Sequence, residues 1–228
     1  MAVLLCGFAC FILSTRAHAI APIASVTAAT INADAAATHE LLEGAGGHRE
    51  TWTAAPTLLI ETSIMDYASG NLSTGFVATS ERMSDDDVAQ LAADFTDALR
   101  NLTAGTISDF HTVAIDAAPA GQIVRVLRPG QIVVGRFRGV QAKTGNLGYG
   151  GRLTRNGTIR QAAVVLDATF DSQSTQRALL RTHELGHALG FNHVESRPSV
   201  MNPRVGNSIT AFDRVAIRTA FLDAPELH

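Results

Sequence analysis

Apolar residues recur along this chain with two different spacings, and each spacing predicts a different kind of element. Apolar residues at helical spacing follow Ser84 and three aspartates. A serine cap and acids near the positive end of the helix dipole favour the start of a helix there. Helices are also predicted near residues 172–189 and over residues 210–221, with Asp213 near the start of the last one. The apolar positions of the first helix are Val88, Leu91, Ala92, Phe95 and Leu99.

Short apolar runs predict the strands. They lie at residues 58–64, 111–117, 123–127, 131–137, 150–155 and 158–170. Asn156-Gly157 joins the last two runs, and this dipeptide is a strong hairpin signal. Residues 141–151 are rich in glycine and are expected to form a surface loop.

The amino-terminal part of the chain is expected to serve export rather than the folded domain. In residues 1–19 an apolar run from Val3 to Leu13 precedes the small-x-small pattern Ala17-His18-Ala19, as in a secretory signal. That run is too short to span a bilayer of about 30 Å. Residues 20–52 lack clear periodicity and are interpreted as a flexible lead-in or a short pro-segment, two alternatives that the sequence leaves open. One domain would then occupy residues 53–228.

Charge and cysteine content narrow the class of protein further. Loss of residues 1–19 removes Arg16 and no acid, so the net charge goes from −3 to −4. A net negative charge does not favour binding to nucleic acid or to an anionic membrane surface. No segment after residue 19 is apolar for long enough to span a bilayer. Cys6 and Cys10 both lie in the signal segment, so the exported chain would have no disulfide and would depend on its core. We expect a monomer.

Candidate chemistry is concentrated in residues 183–193, which read HELGHALGFNH. His183 and His187 are four apart, so on a helix they lie on one face and can reach one metal ion. Gly190 adopts a left-handed conformation at little cost, so we expect it to end the helix and let the chain bring back His193 as a third ligand. Three protein nitrogens leave one tetrahedral position open, which indicates a catalytic rather than a structural zinc site.

The pattern HExxHxxGxxH resembles the metzincin clan of zinc endopeptidases. After the third histidine the chain reads Ser199-Val200-Met201-Asn202-Pro203, at a spacing similar to that of the matrixin branch. Met201 would be the turn methionine that gives the ligands an apolar, polarisable floor. Gly186 also fits matrixins. Matrixins usually have Tyr after that methionine, where this chain has Asn202, and the position that often labels the subfamily is Val194, so the subfamily stays open.

This resemblance implies both a fold and an activity. The fold would be α+β, with a twisted mixed sheet, an active-site helix and a C-terminal helix. The activity would be that of a secreted zinc-dependent endopeptidase, extracellular or periplasmic, acting on polypeptides with one catalytic zinc ion. Glu184 would be the general base that takes a proton from the zinc-activated water. A catalytically silent relative that binds zinc or peptide is the alternative.

Substrate contacts are expected at a sheet edge and beyond the third histidine. An extended peptide can add to an exposed edge by backbone hydrogen bonds, and by analogy with metzincins the edge strand would comprise Gly150, Gly151, Arg152, Leu153 and Thr154. Val200 and Asn202 are predicted in the pocket wall. Matrixins often bind calcium as well, but Asp116, Asp167 and Asp171 show no coordination pattern that would support a calcium site here.

Overall fold

The fold combines a mixed sheet with six helices in the part of the chain that the structure describes. The structure is a computed structural model and describes residues 28–43, 47–67, 72–204 and 206–222. The predicted signal at residues 1–19 lies outside these residues. In chain order the elements are α1 (Ala28–Leu42), β1 (Thr57–Asp66), β2 (Phe76–Arg82), α2 (Asp85–Leu102), β3 (Val113–Asp116), β4 (Ile123–Val124), β5 (Gln131–Arg138), α3 (Val140–Thr144), β6 (Gly148–Arg155), β7 (Thr158–Asp167), α4 (Ala168–Gln173), α5 (Arg177–Ala188) and α6 (Ala211–Phe221).

Seven strands form one sheet. Six of them follow the order β4-β2-β1-β5-β7-β6, and the seventh, β3, pairs with β1. β1, β5 and β7 run parallel to one another, whereas β2 and β6 are antiparallel to their neighbours. The hairpin predicted at Asn156-Gly157 is confirmed, because β6 and β7 pair across it. The strand β6 therefore lies at one edge of the sheet. The α+β fold with a mixed sheet, an active-site helix and a C-terminal helix is confirmed.

The hydrophobic core lies on both faces of this sheet. On one face, β1 residues such as Leu58 and Ile60 pack with the inner side of α2 and with α5. On the other face, Leu59 and Met65 pack with aromatic side chains that include Phe137. Burial on both faces explains why the central strands read as continuous apolar runs rather than as an alternating pattern. None of the described helices is both long enough and apolar enough to cross a membrane.

Several predicted boundaries differ from the structure because local capping decides them. Asp167 ends β7 and caps α4 by accepting hydrogen bonds from the backbone N–H groups of Thr169 and Phe170, so the strand predicted to reach residue 170 stops earlier. The single helix predicted near residues 172–189 is two helices, because Ser174 is extended between α4 and α5. The predicted surface loop at 141–151 contains most of α3 and the start of β6. The strand β2 was not predicted.

Residues 28–42, which belong to the predicted flexible lead-in or short pro-segment at residues 20–52, form α1. Ala37 and Leu41 are buried, one helical turn apart, and α1 lies against α6. The periodicity escapes sequence analysis because the helix is rich in alanine, which occurs on buried and exposed faces alike. Packing against the rest of the domain therefore reveals a helix that the residue pattern conceals.

Candidate metal centre

Three imidazole rings meet at the end of α5. His183 and His187 lie on α5, and His193 comes from the loop that follows it. One ring nitrogen of each residue lies within 4.8 Å of the corresponding nitrogen of the other two, and the Nε2 atoms of His187 and His193 are 3.1 Å apart. The predicted turn is present, since Gly190 has a φ of 109° directly after the end of the helix. The structure therefore brings together the three side chains that the sequence selects as metal ligands.

Backbone carbonyl groups fix the orientation of the two helical histidines. His183 Nδ1 lies 2.8 Å from the carbonyl oxygen of Val200, and His187 Nδ1 lies 3.0 Å from that of Phe191. A carbonyl oxygen only accepts, so each Nδ1 carries a proton and each Nε2 keeps its lone pair for a metal ion. Burial lowers the pKa of His183 and His193, and it lowers the pKa of His187 to about 3. All three rings are therefore neutral at pH 7, as metal ligands must be.

Glu184 is the acidic group of this site, and it is only 3% exposed. Burial raises its pKa to about 8, against an opposing hydrogen bond from the backbone of Gly150. Its Oε2 atom is buried and has no hydrogen-bond partner among the described residues. A buried carboxyl oxygen with free acceptor capacity beside three neutral imidazoles fits a zinc ion and a water molecule. The raised pKa keeps Glu184 largely protonated at pH 7 in the metal-free site, and the positive charge of a bound zinc ion would favour the ionised form that can act as a base.

Two glycines allow the edge strand to approach the metal helix closely. A Cβ atom at Gly150 would lie 2.2 Å from the Glu184 carbonyl oxygen and 2.7 Å from His187 Cβ. A Cβ atom at Gly148 would lie 2.7 Å from the carbonyl oxygen of Val165 and 3.4 Å from Glu184 Oε1. Larger residues at either position would push β6 away from α5. The glycines thus place the free edge of the sheet beside the three histidines.

The turn methionine lies directly beneath the metal helix. Met201 is fully buried, and a Cβ atom at Gly186 would come within 2.4 Å of its sulfur. Asp213 holds this turn from the start of α6: its carboxylate accepts hydrogen bonds from Ser199 Oγ (2.5 Å) and from the backbone N–H of Val200 (2.9 Å). From the sequence, Asp213 was predicted only as a favourable acid near the start of a helix. Its contact with the turn could not be predicted from residue spacing, because the contact joins two elements that meet only in the folded protein.

A cavity of about 520 Å³ opens in front of the histidines. Among the residues predicted for substrate contact, only Gly150 lines it. The cavity is lined by Gly145, Asn146, Leu147, Gly148, Tyr149, Gly150, Leu180, His183, Glu184, His187, His193, Pro203 and Arg204. Pro203 comes from the stretch after His193 that was expected to form the wall, whereas Arg204 lies one residue beyond it and Leu180 lies on the turn of α5 before His183.

Val200 and Asn202 do not line this cavity, and their place in a pocket wall stays a prediction. Val200 is buried and orients His183 through its carbonyl oxygen. The Asn202 amide instead ties the turn together, donating to the carbonyl oxygen of Arg197 (2.8 Å) and accepting from the backbone N–H of Ser199 (2.9 Å).

The four predicted edge residues Gly151, Arg152, Leu153 and Thr154 lie on β6 but outside the cavity lining. The guanidinium group of Arg152 pairs with Glu50 (2.5 Å) and donates to the carbonyl oxygen of His187 (3.0 Å). Thr154 Oγ1 also donates to Glu50, at 2.8 Å. These two side chains stabilise the fold around the metal helix, whereas Leu153 is 47% exposed.

A buried ion cluster that the sequence pattern did not predict holds α5 in place. The Asp171 carboxylate accepts from Arg181 Nε and Nη2 (both 2.8 Å) and from Arg136 Nε (2.7 Å). Arg181 precedes the first metal ligand by two residues and also pairs with Asp94 on α2 at 2.6 Å. Asp171 is therefore an ion-pair residue. Of the other two acids considered for calcium, Asp167 caps α4 and Asp116 pairs with Arg128.

Fold and site together define a class of protein. The edge of a mixed sheet lies against a helix that carries two histidines. A third histidine follows a glycine turn, and a glutamate lies beside the three. Together these features define the centre of a zinc metallopeptidase. The family model described as Matrixin matches residues 14–219, and the chain belongs to this family. A search of the curated proteins finds no match.

Proposed function

We propose that this chain is a secreted zinc-dependent endopeptidase. The observation that carries the proposal is the buried, unpartnered Oε2 atom of Glu184 beside three neutral imidazoles. His183, His187 and His193 would hold the ion through Nε2 atoms. When bound, zinc supplies Lewis-acid chemistry, polarising the scissile carbonyl group and making water more acidic.

Glu184 moves the proton in the proposed reaction. Its carboxylate takes a proton from the attacking water molecule and then passes it to the leaving amine nitrogen, so one residue acts first as base and then as acid. The hydrogen bond from Gly150 orients this carboxylate, and the hydrophobic surroundings strengthen its tendency to hold the proton. For both steps Glu184 must be buried beside the three histidines and must not bind the zinc ion itself.

The free edge of β6 is the proposed substrate platform. An extended peptide would add there as a further strand, bonded mainly through backbone groups, since the Arg152 and Thr154 side chains are already bonded to Glu50. Gly150 and Gly151 are partly exposed on this strand. Proline substitution in the bound stretch of a peptide substrate should weaken cleavage, and unchanged cleavage would contradict this platform.

Export by residues 1–19, to the extracellular space or the periplasm, belongs to the same proposal. It is supported by the apolar run and the small-x-small pattern in the sequence. The acting species would be a monomer with one zinc ion, and its partner would be a polypeptide. Determination of the amino-terminal residue of the exported protein tests this point, because removal of the signal predicts Ile20.

The central test compares the full chain with Glu184→Gln and with Glu81→Gln, which removes an exposed carboxylate on β2. Casein cleavage and zinc content are measured on each preparation. We expect Glu184→Gln to keep zinc and lose activity by about 10²- to 10⁴-fold, because general acid–base catalysis contributes that much. The Glu81 variant should match the wild type. A wild type that binds zinc but cleaves neither casein nor a peptide library would support the silent, peptide-binding relative instead.

A further inference from the structure

The loop that carries the third histidine is held from outside by the amino-terminal part of the chain. We call residues 189–197 the metal loop, and residues 34–43 with 47–52 the N-terminal segment. The backbone N–H of Asn192 donates to the carbonyl oxygen of Leu41 at 2.8 Å. Glu40 Oε2 accepts from the backbone N–H of Glu195 and from Ser196 Oγ, both at 3.1 Å.

An ion pair extends this contact to the end of the metal loop. Arg197 Nε lies 2.7 Å from Asp34 Oδ1, and Asp34 lies nearly two helical turns before Glu40 on α1. Together, Asp34, Glu40 and Leu41 contact positions on both sides of His193. One side of α1 therefore runs along the outer surface of the metal loop.

The other part of the N-terminal segment fastens the point where α5 becomes the metal loop. Trp52 Nε1 donates to the carbonyl oxygen of Ala188, the last residue of α5, at 2.9 Å. The carbonyl oxygen of Glu50 lies so close to Gly190 that a Cβ atom there would come within 2.1 Å of it. Gly190 thus has two reasons to be glycine: its positive φ and the chain that crosses it.

The metal loop needs such support because it has no regular secondary structure. Its inner side bonds to the domain, with Phe191 N–H donating to Gly186 (2.9 Å) and Val194 N–H to Met201 (3.0 Å). Its outer side bonds to the N-terminal segment, and the His193 side chain itself is exposed. An irregular loop with few bonds would sample many conformations, and holding it in one conformation costs backbone entropy that its contacts must offset.

We propose that the N-terminal segment is a permanent positioning element of the catalytic domain, which holds the metal loop so that His193 meets the other two ligands. None of its described residues lines the cavity in front of the histidines, so the segment supports the site without covering it. This assigns residues 34–52 to the working enzyme rather than to a removable pro-segment. The inference rests on the proposed function only in taking His193 as a zinc ligand.

Glu40 provides the sharpest test, because one carboxylate oxygen accepts two hydrogen bonds from the metal loop. In the full chain, Glu40→Ala removes both bonds, while Glu40→Gln keeps an acceptor oxygen at the same place. Glu43→Ala is the matched control, since its carboxylate pairs with His39 in the same N-terminal segment. The first measurement is the rate at which zinc passes from each protein to a chelator. The second is amide hydrogen exchange at residues 192–197 in the metal-free proteins.

We expect Glu40→Ala to release zinc about 10-fold faster, the lower end of the range for groups that orient a metal ligand indirectly. Exchange at the Glu195 amide should rise about 10-fold, since it loses an acceptor of full charge. Glu40→Gln should restore most of both effects, and Glu43→Ala should show neither.

Unchanged exchange at residues 192–197 in Glu40→Ala would overturn the positioning role. So would equal zinc release from Glu40→Ala and Glu43→Ala. A wild-type chain that binds no zinc would defeat the proposed function, yet hydrogen exchange in the metal-free protein would still decide whether Glu40 holds the loop. Recovery of an active exported protein that lacks residues 34–52 would also refute the inference.

Discussion

Replacement of Asp171 by asparagine removes the charge at the centre of the buried ion cluster beside the metal helix. The carboxylate accepts three charge-assisted hydrogen bonds from two guanidinium groups, those of Arg136 and Arg181. Arg181 and Asp171 are completely buried, so water cannot replace the lost contacts. Asparagine keeps the shape of the side chain but turns an NH₂ group toward at least one arginine.

The expected loss of stability is large because the arginines stay behind. Removal of one partner from a buried ion pair costs about 3–5 kcal/mol, mainly from the charge that is left without compensation. Asp87 and Asp94 still pair with the two arginines, which argues for the lower half of that range. For a domain of this size, about 3–4 kcal/mol corresponds to a fall of roughly 6–16 °C in the unfolding midpoint.

Thermal and urea unfolding of the metal-free protein measure this loss without a contribution from bound zinc. Asp109→Asn is the control, because Asp109 pairs with Arg100 at a similar 2.8 Å but both side chains are exposed. That variant should lose less than about 1 kcal/mol. If the two variants have the same midpoint, burial does not govern the strength of these ion pairs and the role given to Asp171 is wrong.

Two further predictions concern packing beneath the histidines and the charge of the cavity. Gly186→Ala should destabilise the protein by about 1–2 kcal/mol in urea unfolding, because the new Cβ meets the Met201 sulfur at 2.4 Å. The double variant with Met201→Ala should lose less stability than the sum of the two single losses, and strictly additive effects would contradict the contact. Arg204 lines the cavity and is exposed, so Arg204→Glu should lower kcat/KM about 5-fold for peptides with an acidic residue beyond the cut, as about 1 kcal/mol of lost pairing implies. Arg218→Glu, on a different cavity, should leave that preference unchanged.

Much of the candidate metal centre was predictable from sequence because its parts lie close together in the chain. The spacing of His183 and His187 fixes them on one helical face, and Gly190 returns His193 by a local turn. Long strands and the helix after Ser84 were predicted for the same reason: their periodicity and caps are local. The lining of the cavity was not predictable in the same way, because the conformation of the turn decides which residues after His193 face it.

Alone, the sequence predicted the three histidines that cluster, the glutamate next to the first of them, the family resemblance and most helices and strands, because these depend on spacings within one or two turns of chain. Tertiary structure decided the rest. It buried Glu184 and raised the pKa of its carboxyl group, it joined Asp171 to arginines from two other elements, and it laid α1 along the metal loop. Each of these effects depends on groups far apart in sequence, and their distances and desolvation exist only once the sheet has brought them together.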